Sequence, residues 1–206
     1  KESVFIDGLR VTVRETMDVV QQMLAGKVNK SLVALLKGRG IGLCGIDGGM
    51  LLCEKLRGST DWGYVGEIVK VDTHLPEFAL DSGFIPVIAT IGADEQGTPY
   101  NINADTAAGQ IAVALSAAKL VSMTDTAGLL RDRYDESTLI ERVLLDDVDA
   151  LTEQGIIAGG MIPKVQCCVD AVKGGVDEAA IIDGRVAHSI LLEMFSHKGS
   201  GTLFCR

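Results

Sequence analysis

Apolar residues at positions 13, 17, 20 and 24 recur every three to four residues, which places them on one face of a helix. Thr12 followed three positions later by Glu15 forms a capping box at its start, and Gly26 suits its end. Asn29 is then the expected cap of a second helix over residues 31–37. Residues 38–49 read as a short strand running into a glycine-rich turn, and residues 50–56 and 64–71 as the two arms of a β-hairpin. A helix near residues 75–81, a buried β-branched strand at 84–89 and a polar loop at 92–99 come next. An Ala-rich helix starts near Asp105, and a strand covers residues 119–124. Asp146 opens a helix that stops at Gly155, and a further helix follows residues 155–164. A strand at 179–183, a short helix at 188–195 and a strand at 202–205 complete the chain. Strands alternate with helices nearly throughout, so the expected class is α/β, with a mainly parallel sheet and helices on both faces. The expected lobe boundary lies near residues 117–124.

Composition narrows this. With 206 residues, 47% of them hydrophobic, the chain can bury a sizeable core in one large domain or two lobes. The net charge of −9 argues against nucleic acid or an anionic membrane as the main partner. No apolar run reaches the ~18 residues needed to cross a bilayer. The five cysteines (44, 53, 167, 168 and 205) include no CxxC pair and read as reduced thiols of a cytoplasmic protein. His74, His188 and His197 lack the spacing of a zinc site.

Polar chemistry concentrates in two stretches. In PYNINADTAAG (99–109), Asn101, Asn103 and Asp105 alternate, and alternate residues of an extended segment share a face. Each is also a good helix N-cap; three in a row exceed what one cap requires. In residues 155–164, Gly159 and Gly160 precede a helix with Lys164 about one turn inside. Free N–H groups, the helix dipole and a cation suit a phosphate, although a solvated Lys has the same pattern and the Walker A spacing is absent. Arg10, at a strand–helix junction, reads either as a carboxylate clamp or as a surface residue. The loop from Thr124 to Gly128 lies at the carboxyl end of a strand, where ligands of α/β sheets gather.

The blocks FIDGLRVT, AGKVNKSLV, GLCGIDG, GYVGEIVKVD, YNINADTAAG, TDTAGLLRD, GIIAGGMIPKV and IIDGRVAHSILLEMF occur in this order. Together they resemble the N-acetyl-L-glutamate kinase family of the amino acid kinase superfamily, over essentially the whole chain. The resemblance implies a three-layer αβα sandwich around a mainly parallel central sheet. Residues 1–117 would form part of an acetylglutamate-binding lobe and residues 118–206 the nucleotide-binding lobe. The implied reaction moves the γ-phosphoryl group of ATP, with Mg2+, to the side-chain carboxylate of N-acetyl-L-glutamate in arginine biosynthesis.

By the same resemblance, Arg10, Asn101 and Asn103 bind the acceptor substrate, Asp105 orients the catalytic lysines, and Lys164 stabilises the transferring phosphoryl group. Thr124, Asp125, Gly128, Leu129, Ala158, Gly159, Gly160, Met161 and Lys164 are the implied nucleotide contacts. His188, Glu193 and Gly199 are the implied arginine effector residues, Glu193 as the guanidinium partner. A homo-oligomer is expected, a dimer or a hexamer. The family's K-x-G-G strand, which carries a second catalytic lysine, and its G-G-G-P-type loop lie upstream of the matched blocks, and residues 37–40 are shorter than the family pattern. These 206 residues alone are therefore expected to bind nucleotide weakly and turn over little. The competing readings are a non-catalytic arginine- or nucleotide-binding fragment of the same fold and a kinase of carbamate or aspartate; NINADTAAG and GYVGEIVKVD speak against the latter.

Overall fold

A computed structural model describes residues 5–6, 9–196 and 199–206; Gly8, His197 and the side chain of Arg10 fall outside it. The chain divides into two compact units, residues 1–107 and 108–206.

In the first unit, β1 (Phe5–Ile6) and β2 (Leu9–Arg10) pair antiparallel. Helix α1 (Arg14–Gln21) continues through a π-helical stretch, Gln22–Val28, into α2 (Asn29–Leu35). Then come β3 (Gly40–Cys44), β4 (Leu51–Lys55), β5 (Gly66–Val71), α3 (His74–Asp81), β6 (Ile85–Ala89), β7 (Ile91–Ala93) and β8 (Pro99–Asn101). Parallel β3 and β6 form one sheet, and a second has the order β5-β4-β7-β8, in which β4 and β5 are the anticipated hairpin.

Four local expectations change. Thr12 does not cap α1; the cap position is Val13, without a side-chain cap bond. The backbone of Thr12 is used in strand-like pairing instead. Its N–H donates to Trp62 O at 3.0 Å, and its C=O accepts from Tyr64 N at 2.7 Å. The helix does not end at Gly26 either, because the π turn absorbs the glycine without a break. Asn29 is therefore mid-helix, where it cannot cap. Its side chain turns inward, 2% exposed, and its Nδ2 donates to Leu43 O of β3 at 3.1 Å and Val87 O of β6 at 2.7 Å. One side chain thus ties a helix to both strands of the sheet, and a side chain at Gly42 would collide with it. Finally, the stretch 92–99 is the β7–β8 turn rather than a plain loop. Asp94 Oδ1 closes it by accepting from Gln96 N at 3.0 Å and Thr98 N at 2.8 Å, an Asx turn.

Helix α4 (Ala104–Ala114) spans the division between the units. The second unit continues with β9 (Lys119–Thr124), β10 (Arg142–Leu144), α5 (Val148–Glu153), α6 (Met161–Lys173), β11 (Glu178–Asp183), α7 (Ser189–Phe195) and β12 (Gly201–Cys205). The sheet order is β10-β12-β11-β9, with β11 parallel to β9 and antiparallel to β12. A central strand meets packing on both faces, so its apolar run is continuous rather than alternating. Ala179 to Ile182 are fully buried. Against Ala179 and Ile181 pack Val165, Cys168, Val169 and Val172 of α6, spaced to share one face, and Phe204 of β12; Ala180 and Ile182 face the other side of the sheet. Each such side chain contributes about 1.5–3 kcal/mol by leaving water.

Asn29→Ala removes the two hydrogen bonds to β3 and β6 and is expected to lower unfolding free energy by about 2 kcal/mol. Urea unfolding checks this; a change under ~0.5 kcal/mol refutes the bridging role.

Candidate functional site

The second unit carries a pocket of about 580 Å3 where the parallel strands end. One wall is the loop leaving β9. There Thr124 Oγ1 accepts from Thr126 N at 3.1 Å, and Thr124 O accepts from Gly184 N at 2.8 Å, which joins the loop to the end of β11. Gly128 has φ of 141°, a value that favours glycine, and a Cβ there would lie 2.7 Å from Thr202 Oγ1. Leu129, 1% exposed, donates its N–H to Thr202 Oγ1 at 2.8 Å and accepts from Ile140 N at 2.9 Å.

The facing wall is the start of α6. Gly155 and Gly159 take positive φ of 73° and 55°. Gly160 is the cap residue, and Met161 begins the helix. No atom lies within 4 Å of where a Cβ would stand on Gly155, Gly159 or Gly160, so the backbone is open to a ligand. Pro163 in this first turn has no N–H to satisfy, and Lys164 follows it. No acidic side chain occupies the turn to oppose an anion.

Of the expected nucleotide residues, Asp125, Gly128, Leu129, Ala158, Gly159, Gly160, Met161 and Lys164 line this one pocket. Thr124 does not; its hydroxyl is spent inside the loop. Thr126, Gly155 and Ile156, inside the two anticipated stretches though not singled out, also line it, as do Leu130 and Arg133, which were not anticipated. Arg133 belongs to what reads as a solvated charged loop, and its closeness in sequence to residues 125–128 was the only available cue.

In the first unit, Asn101 and Asn103 do different work. The N–H of Asn101 in β8 donates to Tyr64 O at 2.8 Å, and its Nδ2 to Thr12 Oγ1 at 3.4 Å. The Arg10 backbone in β2 is two residues from that contact. Asn103 Oδ1 accepts from Thr106 N at 3.0 Å and Thr106 Oγ1 at 3.3 Å, so it caps α4. Asp105 lies in the first turn of α4. Beside this cluster the Arg14 guanidinium stands 5.5 Å from the centre of the Tyr64 ring, and the Tyr64 and Tyr100 rings are 6.3 Å apart. The sequence reading assigned these three side chains no role.

A second pocket in residues 108–206, of about 430 Å3, is lined by Lys119, Glu141, Arg142, Glu178, Glu193, Gly199 and Gly201 among others. Glu193 is buried. Its Oε1 lies 2.8 Å from Lys119 Nζ, and its Oε2 accepts from Ser200 N at 2.9 Å. Glu178 stands 3.3 Å from the same ammonium. Burial opposes the charge on Lys119, but the bond and attraction of Glu193, joined by Glu178, outweigh it and hold Lys119 above the ordinary lysine value. Gly199, with φ of 71°, turns the chain over Glu193, leaving 2.8 Å between a would-be Cβ and Oε2. His188 does not line this pocket. It precedes α7 in a left-handed conformation, φ 62°.

The amino acid kinase family matches residues 2–183. Acetylglutamate kinase of Actinobacillus pleuropneumoniae is 66% identical over 204 residues, covering 99% of this chain and 72% of that protein. Among solved structures, N-acetylglutamate synthase of Neisseria gonorrhoeae complexed with coenzyme A and N-acetyl-glutamate superposes with a TM-score of 0.87 at 30% identity. The match covers 100% of this chain and 47% of that one. The same enzyme complexed with coenzyme A and L-arginine gives 0.85 at 29%, covering 100% and 49%. The α/β architecture and the pocket at the start of α6 thus have a family, and the chain belongs to it: the amino acid kinase family. Its curated relatives carry the name acetylglutamate kinase.

Glu193→Ala leaves Lys119 with the half-exposed Glu178 alone and is expected to cost about 3 kcal/mol of stability, against under ~1 kcal/mol for Glu178→Ala. Because Lys119 is raised, this contribution is complete below the ordinary lysine value and fades as pH climbs through the folded one. Urea titrations at pH 7 and pH 11 check both points; equal costs for the two variants refute the assignment.

Proposed function

We propose that the protein is an acetylglutamate kinase, transferring the γ-phosphoryl group of ATP to the side-chain carboxylate of N-acetyl-L-glutamate. The observation that carries this reading is the 66% identity to a protein of that name over nearly the whole chain. The pocket supports it chemically. Phosphoryl transfer needs positioning and charge stabilisation more than covalent help. A glycine-lined helix start with Lys164 in its first turn supplies the positive end of the dipole, a point charge and glycines that let a phosphate approach the backbone closely. The acceptor carboxylate is ionised at neutral pH, so it attacks phosphorus without a general base, and ADP leaves with the electron pair of the broken bond.

In this reading residues 118–206 form the nucleotide-binding lobe, with ATP in the 580 Å3 pocket, and residues 1–117 belong to the acetylglutamate lobe. Arg10 and Asn101 clamp the main carboxylate of the acceptor, Asn103 sets the start of α4, and Asp105 orients the catalytic lysine. Among the described residues no group of three or more His, Cys, Asp or Glu is arranged to hold a metal. Mg2+ would be carried on the ATP phosphates, held by them and by water, and would offset their charge. A homo-oligomer is part of the proposal, supported by Val19, Met23, Val28 and Leu32, which stand exposed along the continuous α1–α2 helix. Cytoplasmic location is supported by cysteines that form no disulfide.

Feedback by arginine is a second element, favoured by the pocket that Glu141, Glu178 and Glu193 line, where a guanidinium would share carboxylates with Lys119. Activity of the full-length protein is expected to fall as arginine is titrated to millimolar levels; a flat titration removes this element. Lys164→Ala is expected to lower kcat about 10²–10³-fold, the loss typical of one removed transition-state charge contact. KM for acetylglutamate should barely move. Unchanged turnover takes Lys164 out of the mechanism, and absence of acetylglutamate-dependent ADP release in the parent protein refutes the kinase reading itself.

A further inference from the structure

We propose that Thr202 is a positioning residue of the nucleotide pocket, holding the Gly128–Leu129 wall in place through its buried hydroxyl. Thr202 lies in β12, opposite Ile181 of the central strand, and is fully buried. It does not line the pocket. Its Oγ1 accepts the N–H of Leu129 at 2.8 Å across 73 positions of sequence. Leu129 does line the pocket and is itself 1% exposed, so its N–H has no water to turn to.

The rest of the loop explains why this bond matters. At its start, Thr124 and Thr126 bond each other, two residues apart. Those contacts shape the turn, and the bond from Gly184 N to Thr124 O ties its first residue to the end of β11, five positions before Leu129. Beyond it, Leu129 O accepts from Ile140 N, and Leu130 bridges Leu139, which attaches the loop to the segment leading into β10. The bond to Thr202 adds a side-chain tie to β12 inside the sheet. Gly128 presses the backbone against the same residue, since a Cβ there would meet Thr202 Oγ1 at 2.7 Å and Thr202 N at 3.1 Å. Absence of a side chain at 128 and a hydroxyl at 202 together set the depth of that wall. A valine at 202 keeps the shape but offers no acceptor, and the orphaned N–H drives Leu129 outward to find one.

The inference rests on the kinase reading, because it takes the pocket's ligand to be ATP. The test uses the full-length protein with Mg-ATP as probe, by calorimetry and by steady-state kinetics in both substrates. Thr202→Val is expected to raise the Kd and KM for ATP about tenfold, with KM for acetylglutamate within about twofold of the parent. Thr202→Ser, which keeps the hydroxyl, should restore ATP affinity. If Thr202→Val does not fold, Thr202→Ser and Thr202→Cys carry the comparison, because they differ only in oxygen against the poorer acceptor sulfur. ATP affinity should then drop for Cys and hold for Ser. Unchanged ATP affinity in Val or Cys overturns the proposal, and so do equal losses for both substrates or a Ser variant as weak as Val. A parent protein that binds no ATP overturns the kinase reading, and the inference falls with it; a parent that binds alongside an indifferent Val variant sinks the inference alone.

Discussion

The burial of β11 is the constraint on which residues 108–206 depend. Ala179 to Ile182 expose nothing to water, and the strand bonds to β9 on one side and β12 on the other. Its backbone is satisfied only if both neighbours are present, and Ala179 and Ile181 on one face only if α6 covers them. The end of β9 then emerges beside the end of β11, tied by Gly184 N to Thr124 O. The start of α6 reaches the same pocket from the other wall. The pocket is a consequence of this packing: it lies where a buried strand has to stop and the chain has to turn back.

Two polar side chains in the interior deepen that dependence, one in each unit. Asn29 and Thr202 each spend a side-chain bond on backbone far away in sequence, 58 positions for the shorter of the two Asn29 bonds and 73 for Thr202. A buried polar group is costly unless paired, so such bonds hold only in one arrangement of helix, strand and loop. They convert a general tendency of apolar faces to collapse into a single register.

Charge follows the same logic. Lys119 and Glu193 are largely buried and are tolerated because each finds the other, with Ser200 N–H taking the second carboxylate oxygen. At the start of α6 three glycines leave space beside the backbone, and the first turn has no acid. A site that receives an anion in transit gains from an arrangement that a purely structural helix start would have closed with a capping carboxylate.

Local pattern determined much of this. The β4–β5 hairpin, β9, β11, α6 and the positions of Gly159 and Gly160 are readable because period-two and helical spacings and left-handed turns are properties of neighbouring residues. The motif blocks carry the family for the same reason. Where local rules compete, neighbours were not enough. Thr12 and Asn29 have the right type to cap a helix, yet each is drawn elsewhere by partners at positions 62–64, 43 and 87, and Asp94 makes a turn where polarity alone suggested an open loop. Arg133 in the pocket wall, the Lys119–Glu193 pair and the Thr202 bond to Leu129 lie beyond any local pattern. They exist only because distant segments were brought together, and a buried donor, acceptor or charge must take whichever partner the finished packing puts within reach.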